Sequence, residues 1–214
     1  MKNIIEIYKE YKIMPILMMH QMRVAAVAIE ICESLDVEID KENIVKACLL
    51  HDIGNIIKFK LDHFPKENEP EGIDYWQQVQ DEYILKFGIN EHLASLLIAK
   101  ELNVSSAVYN LIDSVEPSYV EKIAIGDSLG QKICLYSDNR VNPYGVVSID
   151  ERNMEAKERY KNHPHAFNEE DRIIFMKNME EIEKQIFSHS KIKPEDINDE
   201  SIKDLLEKLK SYTI

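Results

Sequence analysis

At 214 residues the chain is long enough to bury one sizeable core. With 44% hydrophobic and 30% charged residues and few Gly or Pro, it has the balance of a folded, helix-rich globule rather than a disordered or fibrous chain. A formal net charge of −13 argues against sequence-independent nucleic-acid binding, which rests on Lys and Arg neutralising phosphates.

The N-terminal MKNIIEIYKEYK is too charged, and its apolar run too short, for a signal peptide. No stretch approaches the ~20 apolar residues of a membrane span, so a cytoplasmic protein with no membrane contact is expected. Pro15 followed by ILMMHQMRVAAVAIEICESL predicts a long helix, apolar at Leu17, Val24, Val27, Ile31 and Leu35 and almost hydrophobic all round, hence central. Asp40 is the expected N-cap of KENIVKACLLHD, with Glu42 in its first turn and Gly54 as the stop signal, which sets the His51-Asp52 pair at that helix's C-terminal end.

Residues 58–72, KFKLDHFPKENEPEG, lack periodicity and read as a loop of a length that often carries function. Helical patterns resume in IDYWQQVQDEYILKF, ended by Gly88, in NEHLASLLIAKEL with Asn90 as N-cap, and in SSAVYNLIDSV before Pro117. Asp127 or Ser128 caps SLGQKICLYSDNRV, which runs to the breaker NPYG. Ser148 and Glu151 then form a capping box before ERNMEAKERYK. EEDRIIFMKNMEEIEKQIF is a further helix with a solvated, mixed-charge face. The charged tail KPEDINDESIKDLLEKLKSY either packs at the periphery or mediates self-association as a homodimer. No strand pattern, repeat or low-complexity linker interrupts this order, so an all-α helical bundle forming a single domain over residues 1–214 is expected.

An unpaired carboxylate at the end of an apolar run is costly to bury, so His51-Asp52 calls for a compensating partner or a metal. Candidate ligands on apolar helix faces or near helix ends are His20, His51, Asp52 and Asp138. Imidazole and carboxylate together suit Mn, Fe, Ni, Co, Zn or Mg, and two His with two Asp leave positions open for water and substrate. A lone His on an apolar helix is usually structural and a lone Asp is more often a cap; the spacing of all four raises the metal reading. Cys32, Cys48 and Cys134 lie in apolar runs without CxxC spacing and read as reduced core residues rather than as a zinc site.

The order His20, His51-Asp52, Asp138, with HQMRVAAVAIEI around the first and CLLHDIGN around the second, resembles the H...HD...D signature of the HD-domain superfamily. The resemblance covers roughly residues 16–141, and YSDNRVNPYGVVSIDERNMEAKERY is similar to an extension found in a subset of prokaryotic HD proteins. It implies an all-α HD-type bundle with additional C-terminal helices over 148–214. The implied activity is that of a metal-dependent phosphohydrolase binding one divalent ion through His20, His51, Asp52 and Asp138. At position 55 many relatives carry Lys or Glu, the latter a catalytic acid or base in some nucleotidase-like members. Asn55 cannot shuttle a proton. Relatives with two metals add histidines between the HD pair and the last Asp, an interval that here contains His92, a possible additional ligand or phosphate contact with a polar surface role as the alternative, and His63 on the loop, a weaker candidate.

On this reading Asp52 binds the ion and orients the attacking water, while the ion activates that water and polarises a phosphoryl oxygen. The acidity of the chain means that substrate phosphate must be met by specific cations, and Arg140 and Lys58 are nearest to the ligands in sequence. Arg23, Arg152, Arg159 and Lys161 are weaker candidates, and a structural ion pair is the competing role for each of them and for Arg140. Trp76 and Tyr75 are expected as core anchors, and NHPHAF, with His163 and His165, as a turn. The expected partner is a small phosphorylated substrate, a nucleotide among the options. Competing readings are a non-catalytic metal- or nucleotide-binding regulatory module, favoured by Asn55, and an HD-type diiron oxygenase, which needs His63 and His92 as ligands.

Overall fold

The computed structural model describes residues 2–62, 65–161 and 167–214. The described residues form helices and turns, with isolated β-bridges but no strand. Local capping chemistry sets most boundaries. In α1 (Ile4–Glu10), Asn3 and Glu6 make a reciprocal capping box. In α2 (Pro15–Ser34), Pro15 opens the first turn, and in α3 (Lys41–Leu50) Asp40 accepts from the backbone N–H of Asn43.

Then follow α4 (Ile73–Phe87), α5 (Glu91–Glu101) capped by Asn90, α6 (Ser106–Asp113), α7 (Val120–Ile125) and α8 (Leu129–Asp138) capped by Ser128. The chain ends with α9 (Ile149–Tyr160) behind the Ser148/Glu151 box, α10 (Glu169–Phe187) and α11 (Lys203–Leu209). Of the two caps considered for α8, Ser128 is the one used, its hydroxyl accepting from Gln131 N–H.

α2 is the central element. Val24, Ala25, Ala26, Val27, Ala28 and Ile31 are almost wholly buried, and the alanines let α3, α8 and α11 pack closely against it. By length and composition α2 is also apolar enough to cross a membrane, which corrects the expectation that no stretch qualifies; here its apolar surface is taken up largely by the neighbouring helices. Trp76 is a core anchor, its indole N–H donating to Asn68 C=O, whereas Tyr75 is 38% exposed. The three cysteines are free and buried, with Cys48 and Cys134 facing one another between α3 and α8.

One cluster of buried apolar residues runs from Ile4 to Leu209. The charged tail packs at the periphery: Ile197, Ile202 and Leu209 are buried and α11 lies on α2. The chain ends meet, with Ile4 N–H donating to Tyr212 C=O and Ile214 N–H to Lys2 C=O. His63, His163 and His165 lie outside the described residues.

Arg140 fastens this tail to the bundle. Its guanidinium is buried and donates to Val147 C=O, to the Tyr136 hydroxyl and to the carbonyls of Pro194 and Ile197. Tyr136 in turn donates to Glu183 on α10. With four partners already engaged, the guanidinium has no fork left to offer a phosphate, so the expectation that Arg140 meets the substrate is corrected. Arg140→Ala leaves buried carbonyls without a donor and is expected to cost about 3 kcal/mol, read as a lowered urea midpoint together with earlier proteolysis of the segment after residue 190.

Candidate metal centre

Three segments converge. α2 carries His20 in its second turn, His51 is the C-cap of α3 with Asp52 following it, and Asp138 is the last residue of α8. Because α3 and α8 both pack on α2, their C-terminal ends arrive on the side of α2 that bears His20. His20 Nε2 lies 3.0 Å and His51 Nε2 3.3 Å from Asp138 Oδ1. The same two nitrogens lie 3.6 and 3.7 Å from Asp52 Oδ2. One ligand atom from each of the four residues falls within 4.8 Å of all the others.

This donor set fits a divalent cation. Two donors about 2.1 Å from one ion stand about 3.0 Å apart at a right angle and about 3.4 Å apart at the tetrahedral angle, close to the separations observed. The supporting contacts fit as well. His51 Nδ1–H donates to Cys48 C=O at 2.8 Å, which orients the ring and leaves Nε2 turned into the cluster. The Asn55 amide donates to Asp52 Oδ2 and holds that carboxylate in place.

Electrostatics point the same way. Burial works against a charge on His51, yet Asp52 and the hydrogen bond to Asp138 raise its pKa from 6.5 to about 9. Burial likewise opposes the Asp138 carboxylate, but the hydrogen bonds from His20 and His51 hold it well below the usual carboxylate range. The cluster therefore attracts positive charge, and a proton on His51 takes part of the role a cation would have.

Gly54 makes the HD turn possible, though not as the helix stop expected from the sequence. Its φ is −90°, which any residue adopts, and α3 already ends at Leu50. The reason for glycine is contact with α5: a Cβ would meet Glu91 C=O and would stand 2.8 Å from both Ala94 Cβ and Ser95 N. Gly54 N–H donates to Ser95 Oγ across this contact.

Lys58 ends the 3₁₀ turn Asn55–Lys58, which Gln80 of α4 braces by donating to Ile56 and Phe59 carbonyls. Its ammonium is 3.0 Å from Glu91 Oε1. Burial disfavours that charge, but Asp52, Glu91 and Tyr160 outweigh it and raise the Lys58 pKa. Lys58 thus stands within electrostatic reach of the cluster, while Arg140 serves the fold.

His92 does not join the four residues. Its Nε2 is 3.5 Å from Asp113 Oδ1 and its Nδ1 3.8 Å from Glu116 Oε2, so both ring nitrogens face carboxylates at and just beyond the α6 end, and this possible additional ligand stands apart from the four clustered residues. Arg23 faces Asp199 at 3.7 Å, and Lys161 pairs with Glu158. Gln80 and Glu91 were not read from the sequence as parts of the site, and Asn55 was read there only as a position unable to shuttle a proton, not as the brace on Asp52. Only the Asp52–Asn55 spacing of three residues within one turn carried a signal for any of them.

A family model described as the HD domain matches residues 17–129, just over half of the chain. The match contains His20, His51 and Asp52 and stops short of Asp138, which tertiary packing brings to the other three. No curated protein and no solved structure was found to match the chain.

Three measurements follow from this geometry. Gly54→Ala is expected to destabilise the protein by about 2 kcal/mol through overpacking against α5 and to weaken metal binding, both readable by thermal melts with and without Mn²⁺. In the metal-free protein, the raised His51 pKa adds stability that is complete below pH 6.5 and lost as the pH rises through about 9. The urea midpoint should therefore fall across that window, and less so in His51→Gln. Calorimetric titration with Mn²⁺ at pH 7 should release about one proton, with affinity rising toward pH 9.

Proposed function

Because the chain belongs to the HD-domain family, whose members are generally metal-dependent hydrolases, we propose that it hydrolyses a phosphate ester of a small molecule, a nucleotide being one option. The observation that carries this reading is the convergence of His20, His51, Asp52 and Asp138 on one point. These four residues would hold one divalent ion, which supplies Lewis acidity toward a phosphoryl oxygen and activates water near neutral pH.

The chain's own groups account for the rest. The Asp52 carboxylate, fixed by Asn55, orients the attacking water. The Lys58 ammonium, close enough to Asp52 to have its pKa raised by it, offsets negative charge building on the phosphoryl group. Cys48 C=O keeps the His51 ring from rotating away from the cluster. Asn55 neither donates nor accepts a proton in the reaction, so its part is positional.

That same residue supports a second reading, a regulatory module that keeps the metal without turnover, since an amide occupies a place where a proton-transfer group would favour catalysis. The diiron reading loses its support at His92, which faces Asp113 and Glu116.

The deciding experiment is phosphate release from p-nitrophenyl phosphate and a nucleotide panel with added Mn²⁺, Co²⁺ or Mg²⁺. Release with at least one metal is expected, abolished by chelator and lowered at least about a hundredfold in Asp52→Ala. Lys58→Ala should act mainly by raising KM. No release from any substrate, with Asp52→Ala losing stability alone, would defeat the hydrolytic reading in favour of the regulatory one.

A further inference from the structure

Both faces of α5 are apolar, and only one of them is used by the fold. On the inner face Ser95 Oγ accepts from Gly54 N–H, and Ala94, Ile98 and Ala99 are fully buried. The outer face carries Leu93 and Leu97, four residues apart and so one above the other, at 56% and 42% exposure. Ile89, just before the Asn90 cap, is 83% exposed, and Leu85, in the last turn of α4, is 89% exposed. α4 and α5 pack on each other, so these positions belong to one corner of the molecule. Single exposed leucines are ordinary, but these four side chains leave on the order of 500 Å² of apolar surface in water, the upper part of the range for a monomer's largest patch.

Charge decides what kind of partner this corner suits. At a formal net charge of −13 two copies of the chain repel at long range, so they can meet only where charge is locally balanced. Around the patch Glu82 pairs with Lys12 at 2.6 Å, Lys86 with Glu101 at 3.0 Å and Glu91 with Lys58 at 3.0 Å. Lys100, the next residue of the outer face, lies over the Tyr109 ring. An apolar face with balanced charge suits another face of its own kind rather than a charged ligand.

The face is also self-complementary. A two-fold axis crossing α5 midway between Leu93 and Leu97 sets two α5 helices antiparallel, with Leu93 of each copy opposite Leu97 of the other. Two such faces cover about 1,000 Å² of apolar surface before any polar rim is added, and a stable interface needs about 1,200 Å² or more in total. Little ordering is required on contact, because α5 is already capped by Asn90 and seated on Gly54. The charged tail, by contrast, has its apolar residues engaged: Ile197, Ile202 and Leu209 are buried and α11 lies on α2.

We propose that the outer face of α5, together with Leu85 and Ile89, is the surface through which two copies of this chain form a two-fold, antiparallel dimer. The dimer surface and the seat of Gly54 are then opposite faces of one helix.

Sedimentation velocity of the full chain from about 1 to 200 µM reads this association directly. A dimer is expected within that range, and its dissociation constant should fall as NaCl is raised from about 50 to 500 mM, because salt screens the repulsion between two acidic chains and leaves the apolar contact intact. Leu93→Glu and Leu97→Glu should each raise the dissociation constant at least about a hundredfold, since each buries two carboxylates in an apolar interface. Melting curves check that these variants fold. Ile89→Gln, outside the helix, should weaken the dimer about tenfold and provides the comparison should an α5 variant unfold. Ile173→Glu, at an exposed apolar position on α10, should associate as wild type. A monomer throughout the range, a dimer unchanged by both leucine substitutions, or an equal loss in Ile173→Glu would overturn the proposal. So would a monomer that co-sediments with phosphatidylcholine vesicles, which assigns the face to a lipid surface instead.

Discussion

Two carboxylates and two imidazoles held within a few ångströms and largely removed from water form a charge problem before they form a site. Asp52 and Asp138 would repel one another if left alone, and neither has the surrounding water that makes an exposed pair harmless. The cluster is stable only with positive charge in it, supplied by a proton on His51 or by a divalent ion. Much of the surrounding structure keeps the four groups from moving apart: the carbonyl of Cys48 behind His51, the amide of Asn55 on Asp52, and the close seat of Gly54 on α5.

The same constraint explains the division of labour among the cations of an acidic chain. Arg140, two residues from Asp138, is consumed by carbonyls that arrive from the tail, and so acts as a fastener between α8 and the C-terminal segment. Lys58 stands beside Asp52 with Glu91 as counter-charge. On α9, Arg152 and Arg159 are largely covered and share the Glu155 carboxylate, with Arg159 also over the Tyr160 ring. Distance along the chain from the cluster thus says little about a cation's role; what matters is how many of a guanidinium's donors the protein itself has satisfied.

The helical extension links the cluster to the rest of the molecule. Through Arg140 and Val147 it starts beside Asp138, and through α11 it returns to α2, the helix that bears His20. Stability of the tail and geometry of the site are therefore mechanically joined, since displacing the segment after residue 190 removes partners from a side chain only two positions from Asp138.

Caps, helical periodicity and the HD pair were legible in the sequence because each is a local matter. Asp40, Asn90, Ser128 and Ser148 satisfy N–H groups within three residues of themselves, and α2 declares its central place by its own apolar composition. The four clustered residues were legible from motif order, and the fold brings them together. What the sequence left open was decided by partners far away along the chain: Arg140 by carbonyls 54 and 57 residues on, His92 by carboxylates at and just beyond the end of α6, and Gly54 by the backbone of α5. A long polar side chain binds whatever the fold delivers within its reach, and only the three-dimensional packing of helices determines what that is.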